Sequence, residues 1–158
     1  MKLSQELNEV LNLQISHELR NVTKYMQIAS FFENLQLKNL AKYFKDQSNQ
    51  EKEHADKFMQ HINDRIGGMV SLEEIDSPNL KLFDVSTVAD AFVDTEVATT
   101  ESIEAIYSLA FDEKSFIDLP FLMDMLNEQV EEEDSAQAFA EKVKASKDLV
   151  LFDATFGG

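Results

Sequence analysis

The sequence of 158 residues contains no cysteine, so neither disulfides nor thiolate metal sites can form. Any metal ion must be bound by oxygen atoms and imidazole nitrogens. Only four Gly and two Pro interrupt the chain, which favours a few long helices over many short strands. No apolar run approaches the roughly 20 residues that a membrane helix needs, and the N-terminal residues lack the apolar core of a signal peptide. We therefore expect a cytoplasmic protein with no membrane partner.

Basic residues are also scarce, with 14 Lys and Arg against 30 Asp and Glu and a formal net charge of −16. Nucleic acids and anionic membrane surfaces are bound through clusters of Lys and Arg, so this balance argues against both as partners. A strongly acidic chain attracts cations, although the same charge also serves solubility. The length suits a single domain over residues 1–158 with one sizeable core.

Apolar residues recur at helical spacing in four long stretches. These are residues 4–34, 37–66, 86–111, and a fourth stretch that starts near Asp118, an expected N-cap. Gly67 and Gly68 are expected to end the second helix. Residues 69–84 form a long connection, and 148–156 a short fifth helix. The pattern predicts an all-α four-helix bundle with a long crossover between helices 2 and 3.

A polar side chain interrupts each apolar stripe near its middle. These residues are Glu18 in the first helix, Glu51 and His54 in the second, Glu96 in the third, and Gln129 and Glu132 in the fourth. Their spacing repeats. Glu18 precedes Glu51 by 33 residues and His54 by 36, and the third-helix Glu precedes the pair on the fourth helix by the same two intervals. Residues three apart on a helix point the same way. The sequence therefore predicts two hairpins whose polar groups converge at the centre of the bundle.

These groups would place about four carboxylates in an apolar core, and each unpaired charge costs several kcal/mol even after relaxation. No Lys or Arg lies on the four stripes to pair with them. Two divalent cations would neutralise the four charges, and mixed oxygen and imidazole ligands suit Fe(II) and Mn(II) and tolerate Zn(II). A single Glu on an apolar stripe usually lies at the helix edge with its carboxylate in water. The repeated spacing across four helices favours the metal site over that alternative.

Three segments resemble ferritins. Residues 37–58, with the pattern QS..E.EHA, are similar to the second helix of animal heavy-chain ferritins. LNEQV at 126–130 is similar to the fourth helix, and HEL at 17–19 with Tyr25 to the first. The resemblance covers nearly the whole chain. It implies a ferritin-like bundle, oxidation of Fe(II) with O2 or peroxide, and mineral storage in a cage of about 24 identical subunits. Iron and the oxidant would then be the partners.

The resemblance also implies roles for single residues. Glu18, Glu51 and His54 would bind the first iron, with Glu51 bridging to the second. Glu96 would bind the second iron, with Gln129 close by. Tyr25 would lie beside the pair as an electron or hydrogen-bond donor, and ordinary core packing is its alternative role.

The fourth helix departs from the animal pattern. Glu132 resembles bacterial ferritins, which also have a third iron site, here matched by Gln50, Glu128 and Glu131. The bacterial pattern has Glu at the position of Gln50, and a solvated acidic face is the alternative for this run. Bacterioferritin, which binds haem, would instead have a Glu-x-x-His pair in the second hairpin and a Met at the position of Lys52, so we expect no haem.

Two other functions remain open at this point. One is a di-iron oxidase or oxygenase of a small molecule, which would need an open substrate pocket and normally a longer chain. The other is a helical assembly protein without metal, which the full ligand set disfavours. His17 and His61 are interpreted as surface residues that do not bind metal.

Overall fold

The computed structural model describes residues 1–82 and 84–157, and it confirms the all-α prediction over these residues. Five helices follow one another along the chain: α1 (Gln5–Asn34), α2 (Lys38–Asp64), α3 (Val85–Asp112), α4 (Leu119–Ala145) and α5 (Leu149–Thr155). No strand occurs within the described ranges, and none of these helices is long and apolar enough to cross a membrane. Phe83, within the predicted crossover, lies outside the described residues.

Local sequence signals account for several helix ends. The Ser4 hydroxyl accepts a hydrogen bond from the Leu7 amide at the start of α1. Asp84 and Thr87 form a reciprocal capping box at the start of α3. Gly67, just beyond α2, has a φ of 80°, a left-handed conformation that suits glycine. A Cβ on Gly68 would lie 2.0 Å from the carbonyl oxygen of Ile62, so the chain can turn here only without a side chain.

Asp118 differs from expectation. It occupies the N-cap position of α4, but its carboxylate makes no cap hydrogen bond. That carboxylate is fully buried and instead accepts hydrogen bonds from Arg65 Nε at 2.6 Å and Ser115 Oγ at 2.6 Å, and it lies 2.8 Å from His61 Nε2. A charged guanidinium at this distance is a stronger partner than a helix amide. Asp118 therefore joins the end of α2 to the α3–α4 turn.

The helices pair as two hairpins. α1 packs along α2, α3 packs along α4, and α1 also contacts α3. Residues 65–84 link the hairpins, as the predicted crossover requires. Two apolar clusters fill the bundle, one with Phe44 and Phe92 towards the α5 end and one with Leu11 and Phe58 towards the other. The interrupting polar residues belong to neither cluster, so the candidate site forms a layer between them.

The short α5 closes one end of the bundle. Leu37, at the N-cap of α2, provides no side-chain cap. The Asp153 carboxylate of α5 accepts a hydrogen bond from the Leu40 amide at 2.8 Å and so satisfies one of the free N–H groups of α2. Phe152 and Phe156 pack against the neighbouring apolar cluster. Burial of each such aromatic side chain contributes about 1.5–3 kcal/mol when complete.

Candidate metal centre

The first hairpin brings three potential ligands together. Glu18 from α1 and Glu51 and His54 from α2 each offer one atom, and the three atoms lie within 4.8 Å of one another. His54 Nδ1 is 3.6 Å from Glu51 Oε2 and 3.9 Å from Glu18 Oε2. Both carboxylates are fully buried and the imidazole is 5% exposed. Their helix positions, three apart on α2 and opposite on α1, produce this convergence.

The atoms that face this cluster lack hydrogen bonds. Glu18 Oε2, Glu51 Oε1 and His54 Nδ1 are buried and have no hydrogen-bond partner within the described residues. A buried polar atom without a partner costs roughly 1–3 kcal/mol. A divalent cation between them would supply the missing partner for all three. The donor set of carboxylate oxygens and one imidazole nitrogen therefore fits Fe(II).

The second hairpin contributes an adjacent polar group. Glu96 on α3 is fully buried and accepts hydrogen bonds from the Tyr25 hydroxyl and, at 3.2 Å, from Gln129 Nε2 on α4. Gln129 Oε1 has no partner among the described residues. Glu132, one turn further along α4, is only partly buried. Glu96 and Glu132 are not part of the three-residue ligand group found among the described residues, although the charge of Glu51 acts on the pKa of both.

Tyr25 connects this layer to the core. Its side chain is fully buried, and its ring packs edge-on against Phe92, with ring centroids 5.5 Å apart. Burial raises the pKa of Tyr25 well above 10, and the nearby Glu96 carboxylate adds to the effect. The hydroxyl is therefore a proton donor to Glu96 at neutral pH. Both expected roles, packing and hydrogen bonding beside the site, are compatible with this placement.

Burial shifts the proton affinities of the carboxyl groups. It raises the pKa of Glu18 well above its ordinary value, and Glu51 adds to this. Burial followed by the charge of Glu51 raises the pKa of Glu96 to about 8, and burial also raises the pKa of Glu132. Burial thus favours the protonated forms of these carboxyl groups, and a cation would have to compete with those protons.

The pKa values of Glu51 and His54 shift in the directions that favour their charged forms. Burial acts to raise the pKa of Glu51, but the nearby His54 imidazole and Glu18 carboxyl group outweigh it, and the net pKa is lowered. Burial likewise acts to lower the pKa of His54, but Glu51 outweighs it and the pKa rises. Glu51 and His54 thus favour each other's charged forms, and a cation bound beside Glu51 would replace that interaction.

Several polar residues beside the site were not predicted from the sequence. Gln14 Nε2 donates a hydrogen bond to Glu18 Oε1 at 3.0 Å, and Asn21 Nδ2 donates a longer one to Glu51 Oε2 at 3.4 Å. Thr99 Oγ1 accepts from Asn21 at 2.9 Å. A usable signal was present, because Gln14 lies four residues before Glu18 and Asn21 three after it, on the same helix face.

Comparison with known proteins agrees with this architecture. Residues 8–146 match the ferritin family, described as a ferritin-like domain. The chain belongs to the ferritin family. Among the relatives of this ferritin, a bacterial non-heme ferritin of Bacteroides fragilis (strain 638R) is 29% identical over 150 residues, 95% of this chain and 94% of the relative. One from Staphylococcus aureus (strain USA300) is 31% identical over 134 residues, 83% and 78% of the two chains.

Solved ferritin structures share the fold. An open pore ferritin from the hyperthermophilic archaeon Archaeoglobus fulgidus superposes with a TM-score of 0.91 at 30% identity, covering 96% of this chain and 94% of that one. A humanized archaeal ferritin gives 0.92 at 29% identity, with 97% and 96% covered. The resemblance to non-haem ferritins and the ferritin-like four-helix bundle are both confirmed.

The three residues expected at a third iron site differ in their exposure to solvent. Glu128 is partly exposed, with Oε1 2.6 Å from Lys57 Nζ and Oε2 3.1 Å from His54 Nε2. Gln50 and Glu131 are exposed, and neither belongs to the buried ligand group. A third site in this ferritin stays a prediction. Of its three expected residues, Glu128 is the one that contacts a proposed ligand, His54.

The interpretation of His17 and His61 as surface residues is wrong, because both are partly buried. The His61 side chain is 12% exposed, lies 2.8 Å from Asp118 and stacks on Phe121 with ring centroids 4.1 Å apart. His17 lies 2.8 Å from Thr99 Oγ1. A nitrogen of each ring has a polar partner, and the His61 ring also covers Phe121, contacts that periodicity does not reveal. Neither belongs to the metal-ligand group found among the described residues.

Proposed function

We propose that this chain is an iron-storage ferritin that oxidises Fe(II) to Fe(III) at a pair of metal sites within each subunit. One observation supports the proposal above all others. Three buried ligand atoms, on Glu18, Glu51 and His54, converge without hydrogen-bond partners. A folded protein retains such a cluster at a cost in stability, and cation binding is what offsets that cost. Iron is the substrate here, and no haem takes part.

Each hairpin supplies one side of the pair. Glu18, Glu51 and His54 bind the first Fe(II), and Glu51 bridges to the second. Glu96 binds the second Fe(II), with Gln129 Oε1 as a nearby oxygen without a partner. Glu132 completes this side from the edge of the layer. The four carboxylates match the charge of two divalent cations, so the loaded site is close to neutral.

Oxidation requires that two electrons leave together towards O2 or peroxide, and a pair of Fe(II) ions can supply them. The protein's part is to hold the two ions close and to release protons. The raised pKa values of Glu18 and Glu96 favour their protonated forms in the metal-free protein, and cation binding displaces those protons. Tyr25 keeps Glu96 oriented through its hydroxyl.

Storage would follow in a cytoplasmic cage of about 24 copies of this chain. Exposed apolar side chains support assembly, since they occur at both ends of the subunit: Val150 and Leu151 on α5 are 72% and 61% exposed, and Phe116 and Ile117 in the α3–α4 turn are 57% and 59% exposed. Apolar groups clustered in this way mark contact surfaces. The charge of −16 per subunit favours accumulation of cations.

Aerobic addition of Fe(II) to the purified protein, with absorbance of oxidised iron and particle size recorded together, tests the proposal. A large particle that takes up many irons per subunit is the expected result. Oxidation that stops at about two irons per subunit, without a cage, would favour an oxidase or oxygenase of a small molecule. Absence of iron binding would contradict both enzymatic functions.

Glu18→Ala provides the sharper version of this test. It removes a ligand of the first iron and should slow the fast phase of oxidation strongly. Glu6→Ala is a suitable control, because Glu6 is an exposed residue in the first turn of the same helix. Equal rates for Glu18→Ala and the unmodified protein would show that the first site is assigned incorrectly.

A further inference from the structure

Two residues outside the proposed ligand set determine how the Glu18 carboxylate is presented. Gln14 Nε2 donates a hydrogen bond to Glu18 Oε1 at 3.0 Å, and Ser102 Oγ on α3 donates to Gln14 Oε1 at 2.7 Å. Gln14 is 2% exposed and Glu18 is fully buried, so their bond is shielded from water, whereas Ser102 is only partly buried. Oε1 of Glu18 is thereby occupied, and Oε2, which faces His54, is left free of hydrogen bonds.

The direction of the Gln14 amide matters for a metal ligand. A glutamine amide has a donor end and an acceptor end that can exchange places by rotation. The single Ser102 hydroxyl proton has two acceptors in reach, Gln14 Oε1 at 2.7 Å and the Thr99 carbonyl oxygen at 2.9 Å. Donation along the shorter contact places the donor end of the amide against Glu18. The reverse orientation would place the amide oxygen beside the Glu18 carboxylate, and two acceptors repel each other when the carboxylate is ionised.

The second ligand of the hairpin has a comparable arrangement. Asn21 Nδ2 donates to Thr99 Oγ1 at 2.9 Å and reaches Glu51 Oε2 at 3.4 Å, while Glu51 Oε1 has no partner among the described residues. Both α1 amides therefore connect a ligand carboxylate on one side to a hydroxyl of α3 on the other. The hydrogen bond from Gln14 to its carboxylate, at 3.0 Å, is shorter than the one from Asn21, at 3.4 Å.

We propose that Ser102 and Gln14 are positioning residues that hold Glu18 as a metal ligand through one oxygen, with Oε2 presented to the first cation. The inference rests on the proposed function, because it takes Glu18 as a ligand. It extends that function, because the contact between Gln14 on α1 and Ser102 on α3 would then control how Glu18 binds the first cation. Outer partners of this kind change metal affinity by about 10–100-fold.

The surroundings of the pair allow it to be tested by substitution. Gln14 and Ser102 line a cavity of about 280 Å³ between α1 and α3, together with Val10, Leu13 and Ile106. Gln14→Met keeps an unbranched side chain of similar length but removes the donor. Ser102→Ala removes only the hydroxyl that orients the amide, and Ser102→Thr keeps it.

Co(II) is the probe, because it is stable in air and its visible absorption reports the number and geometry of its ligands. We expect Ser102→Ala to weaken the tighter Co(II) site about 10-fold and Gln14→Met to weaken it about 10–100-fold in calorimetric titration. The visible spectrum should change in both variants, because Glu18 is free to bind through two oxygens. Ser102→Thr should restore the affinity and the spectrum.

The matched control is Ser48→Ala. Ser48 is a buried serine on α2 whose hydroxyl donates to the Val22 carbonyl oxygen and to none of the proposed ligands. The Ser48→Ala variant should bind Co(II) with the same affinity as the unmodified protein. The inference is overturned if Ser102→Ala and Gln14→Met keep the original affinity and spectrum, or if Ser48→Ala weakens binding as much as they do.

Failure of the proposed function would look different. Co(II) binding that is the same in Glu18→Ala and in the unmodified protein would show that Glu18 is not a ligand, and both proposals would then be wrong. Binding that depends on Glu18 but is unaffected by Ser102→Ala and Gln14→Met would contradict the positioning role alone.

Discussion

The Tyr25 hydroxyl donates a hydrogen bond to Oε1 of Glu96, and this contact joins α1 to α3 at the level of the candidate metal layer. The same ring packs against Phe44 and Phe92 in the apolar cluster next to that layer. One residue thus belongs to both the core and the site. The two roles can be separated because only the hydroxyl touches Glu96.

Tyr25→Phe should slow Fe(II) oxidation several-fold while the fold is retained. The substitution keeps the ring and removes one hydrogen bond, whose loss changes the free energy of unfolding by about 1 kcal/mol. Stopped-flow absorbance and thermal unfolding measure the two effects. Tyr43→Phe makes the same change on a ring that packs on Phe44 and Phe139. Equal oxidation rates in Tyr25→Phe and the unmodified protein would leave packing as the role of Tyr25.

The stability of the metal-free protein should fall as the pH rises from about 5 to about 8 and level off above that. Glu96 has a pKa of about 8 in the folded chain and about 4.5 when unperturbed, so the unfolded chain loses this proton first. A raised pKa contributes stability that is fully present below about pH 4.5 and is lost as the pH rises through about 8. The melting temperature measured in chelator from pH 6 to pH 9 should show the decline.

Glu96→Gln is the control for this pH dependence. It replaces the carboxyl group with a neutral group of similar size and should flatten the decline while weakening binding of the second metal ion. A profile with the same slope in the variant and the unmodified protein would show that Glu96 is not the titrating group.

Lys57→Gln should strengthen any binding of a third metal ion. Lys57 Nζ lies 2.6 Å from Glu128 Oε1 and competes with a cation for that carboxylate. The pair is about half exposed, so the effect on affinity should be modest, tenfold at most. Lys52→Gln is the control, since Lys52 pairs with Asp56 on the same helix. Co(II) stoichiometry that stays at about two per subunit in Lys57→Gln would argue against a third site built on Glu128.

The fold could be predicted from the sequence because its main signals are local. Apolar periodicity, two glycines after α2 and a long polar segment before α3 were enough for five helices and a crossover. The candidate ligands were predictable for the same reason, since a Glu or His on an apolar stripe is visible in one helix at a time. The repeated spacing then related the two hairpins.

Contacts between helices were less predictable, because periodicity identifies the buried face of a helix but not its axial position against a neighbour. The bond from Ser102 to Gln14 joins residues 88 apart in sequence, and nothing local indicates it. Asp118 carried a plausible cap signal, but the turn after α3 brings Arg65 within 2.6 Å of it and a stronger interaction replaces the cap.

The contact between α5 and α2 provides a last test, this time of the scaffold. Asp153→Asn retains an oxygen that can accept from the Leu40 amide but loses the negative charge near the start of α2, whereas Asp153→Ala loses both. We expect Asp153→Ala to lower the free energy of unfolding by about 0.5–2 kcal/mol, which corresponds to about 2–4 °C in melting temperature for each kcal/mol. Asp153→Asn should lie between Asp153→Ala and the unmodified protein. Since Asp153 lies on α5, away from the metal layer, Co(II) affinity should be the same in all three proteins. A loss of affinity that follows the loss of stability would show that α5 acts on the metal site rather than only on the end of the bundle.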